Sequence, residues 1–182
     1  MIGEVFTFVS GNLALDYAGT VEARTTEYRD RLVTAADLAD WLVAAGLLDA
    51  VPAGDAEALR PAVELREAIY RLGVGALHGE PFDPADSALL NEVARGCPPR
   101  VELVADGVVR RTGTVDAALA AIARSAIELL GSPDRSRVKQ CGRDTCTRLY
   151  VDTSRGGSRR WCDMAGCGNR AKSAAFRQRH GA

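Results

Sequence analysis

Four of the chain's five cysteines fall in one short stretch, as Cys141-Gly-Arg-Asp-Thr-Cys146 and Cys162-Asp-Met-Ala-Gly-Cys167. Each pair encloses four residues and fifteen lie between the pairs. Two local chain reversals that each present two thiolates to one point are what a closed tetrahedral zinc site requires, with each sulfur about 2.3 Å from the metal. Two disulfides would use the same residues, but no secretory signal opens the chain and Cys97 would be left over. An iron–sulfur cluster is the next alternative, although ferredoxin-type runs space their cysteines more closely. A catalytic zinc would want an open position and histidine or carboxylate ligands. The nearest histidine, His180, stands far down the chain. Cys141, Cys146, Cys162 and Cys167 are therefore expected to be the ligands of a structural zinc.

The elements that must position these thiols are legible nearby. Gly142 and Asp144 suit a tight knuckle, and Gly166 and Gly168 bracket Cys167. Residues 147–151 and 159–162 read as two short strands around a turn-rich loop. From Asn169 to Gly181 the residues are strong helix formers without a breaker. Knuckle, hairpin and helix, in that order, make a treble-clef-like zinc finger.

These cysteines and the run Cys167-Gly168-Asn169-Arg170 resemble the CGNR-type zinc finger, which stands at the C-terminus of bacterial proteins regarded as transcription regulators. In that family an N-terminal ABATE domain, described as a stress-induced or ligand-sensing regulator module, precedes the finger. Residues 8–21, with Asp16, Tyr17 and Thr20, and the stretch from Leu38 through Trp41 to Leu47 are similar to that module. The resemblance spans essentially the whole chain. It implies a regulator that binds DNA through the finger, with a role in the stress response, and whose N-terminal domain senses a small-molecule effector or forms a homodimer.

Charge is distributed in the same sense. Of 182 residues, positions 134–182 carry 12 Lys and Arg against 4 acids, a net +8. Positions 1–133 carry 11 basic and 20 acidic residues, a net −9, so the total of −1 hides a basic end. Four thiolates on Zn²⁺ add about −2, leaving the finger near +6. A basic module on an acidic one suggests a polyanion-binding end, the alternative being a basic finger docked on its own acidic domain. Arg155, Arg159 and Arg160 are expected at phosphates, and Arg170, Lys172, Arg177 and Arg179 on the helix facing the nucleic acid. Asn169 is counted with them, although a residue after a zinc cysteine can instead hydrogen-bond the knuckle.

The rest of the chain reads as a mainly helical α+β domain with short strands. Residues 1–9 are expected as a strand. Ser10-Gly-Asn12 caps a short helix, on which Asp16 is expected to make a salt bridge to a neighbour. Thr34 caps a helix over 35–45 that ends at Gly46, with Leu38, Trp41 and Leu42 as core. Residues 53–78 form a helix with Pro61 near its start, and Asp83-Pro84 opens another. Asp106-Gly107 suggests a tight hairpin turn, and Thr114 caps a helix over 115–130 so apolar that it must be buried.

The expected architecture is α+β: residues 1–134 as the helical regulatory domain and 135–182 as the finger. No apolar run approaches the about 20 residues of a membrane span, and cysteine usage suits a reducing cytoplasm. Arg155-Gly156-Gly157-Ser158 lacks the Lys-Ser/Thr of a phosphate loop, and neither histidine has an evident nucleophile partner. Nothing argues for an enzyme. The competing reading is a protein- or RNA-interaction module in which zinc is only structural.

Overall fold

The computed structural model describes residues 6–50 and 56–181. It opens with α1 (Leu13–Ala18), started by Asn12, whose side chain accepts the N–H groups of Ala14 and Leu15. A minimal hairpin follows, β1 (Val21–Glu22) against β2 (Arg29–Asp30). Next come α2 (Ala35–Ala44), α3 (Leu59–His78) and α4 (Pro84–Ala94). Thr34 and Asp37 form a reciprocal capping box at the start of α2. Asp83 and Pro84 start α4, the proline sitting where its missing N–H is not needed. A second hairpin, β3 (Arg100–Leu103) with β4 (Val109–Thr112), leads to α5 (Val115–Leu130).

The main core lies where α1, α2, α3 and α5 meet. Tyr17, Trp41, Leu42, Leu65, Ile69 and Ile122 are fully enclosed there, and Tyr17 donates its hydroxyl to the Ala62 carbonyl at 2.8 Å. Arg66 on α3 is 1% exposed. Its guanidinium grips both Asp30 carboxylate oxygens, at 2.6 and 2.8 Å, and also reaches Glu67. A buried cation of this kind is tolerated because its donors are matched by carboxylates.

The C-terminal part is joined to this body by a shared core. After a 3-10 turn at Pro133–Arg137, β5 (Val138–Gln140) pairs antiparallel with β6 (Leu149–Val151). Val138, Leu149 and Val151 pack with Leu15 of α1 and Leu129 of α5 in a second apolar cluster. The Val151 N–H donates to the Ser10 carbonyl at 2.8 Å. A π-type turn, Met164–Gly168, then leads into α6 (Asn169–His180).

Several expectations change. The predicted N-terminal strand falls partly outside the described residues, and 6–9 is irregular. Its end is anchored instead by Asp16, whose Oδ1 accepts the N–H groups of Val9 and Ser10, both at 2.9 Å. That replaces the expected salt bridge. Residues 53–55 of the long predicted helix lie outside the described residues, and Ala56–Ala58 is a 3-10 turn before α3. The Asp106-Gly107 connection contains a 3-10 turn, Ala105–Gly107, closed by Val104 N–H to Val108 C=O at 2.9 Å, so it is wider than the two-residue turn expected. In the finger, 149–151 pairs with 138–140 rather than with 159–162. The reason is tertiary: Val138 and Val151 share the apolar cluster, whereas 159–162 is held to the first knuckle by single contacts.

Candidate metal centre

Each knuckle is built by backbone contacts that its glycines permit. Around the first pair, Cys141 N–H donates to Arg148 C=O at 3.0 Å and Cys146 N–H to Arg143 C=O at 2.8 Å. Gly142 N–H reaches Arg160 C=O at 2.8 Å, and a Cβ at Gly142 would stand only 3.0 Å from that oxygen. Around the second pair, Asp163 accepts the N–H groups of Ala165 and Gly166 through its side chain and that of Gly168 through its carbonyl. Gly168 lies close against Met164 and Trp161, where a Cβ would stand 3.1 Å from the Met164 Sδ and 3.3 Å from the Trp161 ring.

The result brings four sulfurs together. The Sγ atoms of Cys141, Cys146, Cys162 and Cys167 all lie within 4.8 Å of one another, with Cys146 and Cys162 3.9 Å apart. A disulfide would need about 2.05 Å, whereas sulfurs at the corners of a zinc tetrahedron are separated by about 3.8 Å. Cys141 and Cys162 are buried, Cys146 and Cys167 half-buried, and Tyr150, Trp161 and Val9 pack around them. Cys162 N–H points at Cys141 Sγ at 3.5 Å, the kind of donor that supports a thiolate.

The protonation pattern fits a cation. Thiol hydrogen bonds from Cys146 and Cys162 drive Cys141 far below its ordinary range. Its thiolate in turn pushes Cys146 up to about 11 and Cys162 upward as well. Thiols so tightly opposed ionise together only where a cation stands among them, and a divalent metal supplies that charge. Among the described residues this is the one such cluster of Cys, His, Asp and Glu side chains. Zinc is the metal that this set and its family support.

The sequence-predicted basic residues divide into two groups. Arg155 and Arg160 are exposed on the loop side, Arg160 lying 5.4 Å over the Trp161 ring. Arg170, Lys172 and Arg177 are exposed on α6, and no carboxylate pairs with them among the described residues. Arg179 is on α6, its side chain outside the described part. Arg159, by contrast, is spent within the fold. It donates to the carbonyls of Val9 at 2.9 Å and Trp161 at 2.8 Å, reaches that of Cys162, and stacks 4.5 Å over Tyr150. Asn169 donates to Ala165 C=O at 3.2 Å, bracing the turn that carries Cys167.

Sequence reasoning missed three contributors. Asp152 is buried behind the finger loop, where it binds Lys139 at 2.7 Å and the Ser154 hydroxyl at 2.6 Å and accepts Arg159 N–H; these bonds, Lys139 first, hold its carboxyl well below the usual range. Arg148 ties the finger to the carbonyls of Thr7 and Gly19 at 3.1 and 3.0 Å. Arg143 stands 4.0 Å from Cys167 Sγ. A local signal existed only for Asp152, in the Asp-Thr-Ser turn sequence. A cleft of about 500 Å³ separates the β1–β2 hairpin from the cysteine knuckles, with Arg29 and Arg31 on one wall and Arg143, Arg148 and Arg170 on the other.

Comparison with curated proteins returns no match. Family models match two adjoining stretches, the CGNR zinc finger over 137–180 and, over 11–133, the ABATE domain, described as "Putative stress-induced transcription regulator". With its helical body matched across most of the chain and its four sulfurs gathered in the adjoining finger, the protein belongs to the ABATE family and carries a CGNR zinc finger.

Proposed function

We propose that the protein is a transcription regulator in which Cys141, Cys146, Cys162 and Cys167 hold a structural zinc and the basic surface of the finger binds duplex DNA. The observation that carries this reading is α6. Its first turn holds Arg170 and Lys172 and no acid. The helix continues directly from the π-type turn that Asp163 caps. These cations stand exposed on it with no carboxylate among the described residues to neutralise them, which is what a phosphate backbone would do. Arg177 follows one and a half turns further on, and the helix packs chiefly on the π-type turn at the metal cluster. Exposed Arg155 and Arg160 are the phosphate contacts on the loop side, while Arg159 and Asn169 hold the finger's own shape.

The helical body is the regulatory half. The cleft between its β1–β2 hairpin and the knuckles is where a small effector would reach both halves at once. Free, clustered thiols suit a reducing cytoplasm.

The test is a fluorescence anisotropy titration of zinc-loaded protein with duplex DNA across a salt series. Binding that weakens linearly in log salt is expected, because phosphate contacts release counterions. Replacing Arg170, Lys172 and Arg177 together by alanine should lower the slope by about 3. Zinc-loaded protein that ignores duplex DNA at low salt would overturn the reading, and preference for single-stranded RNA would transfer it to RNA.

A further inference from the structure

The β3–β4 hairpin stands apart from the metal centre and leaves aliphatic side chains in solvent, Val108 at its connection among them. Val101, Leu103 and Val109 share one of its faces and are 61%, 78% and 39% exposed. Two-stranded hairpins gain their stability by adding strands or by packing on something apolar. Nothing among the described residues covers this face.

The hydrogen-bond parity identifies which edge is open. Val104 N–H bonds Val108 C=O, so alternate pairs Glu102–Arg110 and Arg100–Thr112 face each other through the ladder. The N–H and C=O groups of Arg111 must then point outward from β4, and they do: Asp49 receives the Arg111 N–H at 2.9 Å and donates its own N–H to the Arg111 carbonyl at 3.0 Å. The β4 edge is blocked at its centre. The outward groups of β3, those of Val101 and Leu103, have no partner among the described residues.

We propose that this open β3 edge is a homodimer interface, in which β3 pairs antiparallel with β3 of a second copy about a two-fold axis through Val101. Charge selects both the occupant and the register. With Val101 opposite its own copy, Arg100 of one chain faces Glu102 of the other, twice, at the close positions of an antiparallel ladder. Shifting the axis to Glu102 would set two carboxylates face to face. Shifting it to Leu103 runs the strand into the 3-10 turn Ala105–Gly107, where the extended backbone ends. In the Val101 register the two Val101 residues exchange both backbone bonds, and each Leu103 N–H meets the Pro99 carbonyl of the other copy. Pro99 has no N–H to strand there. The three aliphatics on that face of each hairpin then join in one apolar surface across four strands. An edge this short makes a reversible, concentration-dependent dimer. The interface is independent of whether the finger binds DNA.

Sedimentation velocity on the zinc-loaded full chain tests it. Wild type should show a reversible monomer–dimer equilibrium. Arg100→Glu alone and Glu102→Arg alone should each weaken it roughly tenfold or more, since each places like charges opposite one another twice. Mixing the two variants should restore wild-type association as a one-to-one heterodimer. Across its axis the carboxylate introduced at position 100 of one chain faces the guanidinium introduced at position 102 of the other, and the unchanged Glu102 of the first faces the unchanged Arg100 of the second. Loss of the Arg100–Glu102 contact inside each chain cannot produce that rescue. Val101→Pro, which removes an outward N–H that β4 does not use, should also dissociate the dimer. A wild type that stays monomeric at every concentration, single variants that dimerise as wild type does, or a mixture that fails to associate would each overturn the proposal.

Discussion

Gly73 of α3 lies directly beneath Leu149 of β6: a Cβ at Gly73 would stand 2.7 Å from Leu149 Cδ1. A residue from the finger's hairpin is thus fitted into the helical body with no room for a methyl group between them. The two family segments meet in a packed core and not across a linker.

Unfolding should therefore be cooperative across both segments. Leu149→Ala should cost about 2–5 kcal/mol by leaving a cavity in that shared core. Trp41 sits in the helical core and Trp161 beside the sulfurs. Single-tryptophan variants retaining one or the other should melt together in denaturant; two separate transitions would show independent domains.

Metal removal should act first on α6. A 12-residue helix is marginal by itself, and this one is anchored by the turn that carries Cys167. Chelation, or Cys162→Ser, should reduce helical circular dichroism by the α6 share and lower the melting temperature of the whole chain. Zinc binding needs deprotonated sulfurs, so metal affinity must fall as pH falls. The protein's zinc dissociation constant, measured against free zinc fixed by a buffer calibrated at each pH, should be larger at pH 5 than at pH 8; an affinity that does not change would mean that the thiols are not the ligands.

Arg159 and Arg177 should separate structure from binding. Arg159→Ala removes bonds to Val9 and Trp161 and the stacking on Tyr150, so it should lower stability by about 2 kcal/mol while leaving the salt slope of DNA binding unchanged. Arg177→Ala should leave stability within about 0.5 kcal/mol and reduce the slope by about 1. A thermal melt and a salt series on each variant decide the matter.

The Asp30–Arg66 pair gives a pH signature. Burial would raise the Asp30 pKa, but the two bonds from Arg66, the Leu32 N–H and the Arg24 charge together hold it below its ordinary value. A carboxylate whose folded value is depressed adds stability above its unfolded pKa and loses it as pH drops through the folded one. Stability should thus fall on acidification below about pH 4. Asp30→Asn should flatten that part of the profile and cost about 3 kcal/mol at neutral pH, since it leaves a buried guanidinium half-matched.

What the sequence determined by itself is what a few neighbouring residues encode. Thiol spacing named the metal, and Asn12, Thr34, Asp83 and Thr114 announced the starts of four helices, because capping satisfies N–H groups two or three residues away. Only the tertiary structure decided which strand pairs with 149–151. Three residues carry too little pattern to choose a partner, and burial beside Leu15 and Leu129 made the choice. The arginines divide for the same reason. Arg159 and Arg177 are equal in sequence, yet one reaches a carbonyl 150 positions away and the other stays in solvent. Long-range contact of that kind exists only once the chain has closed, so composition could count the basic charges but not say which were free to meet an anion.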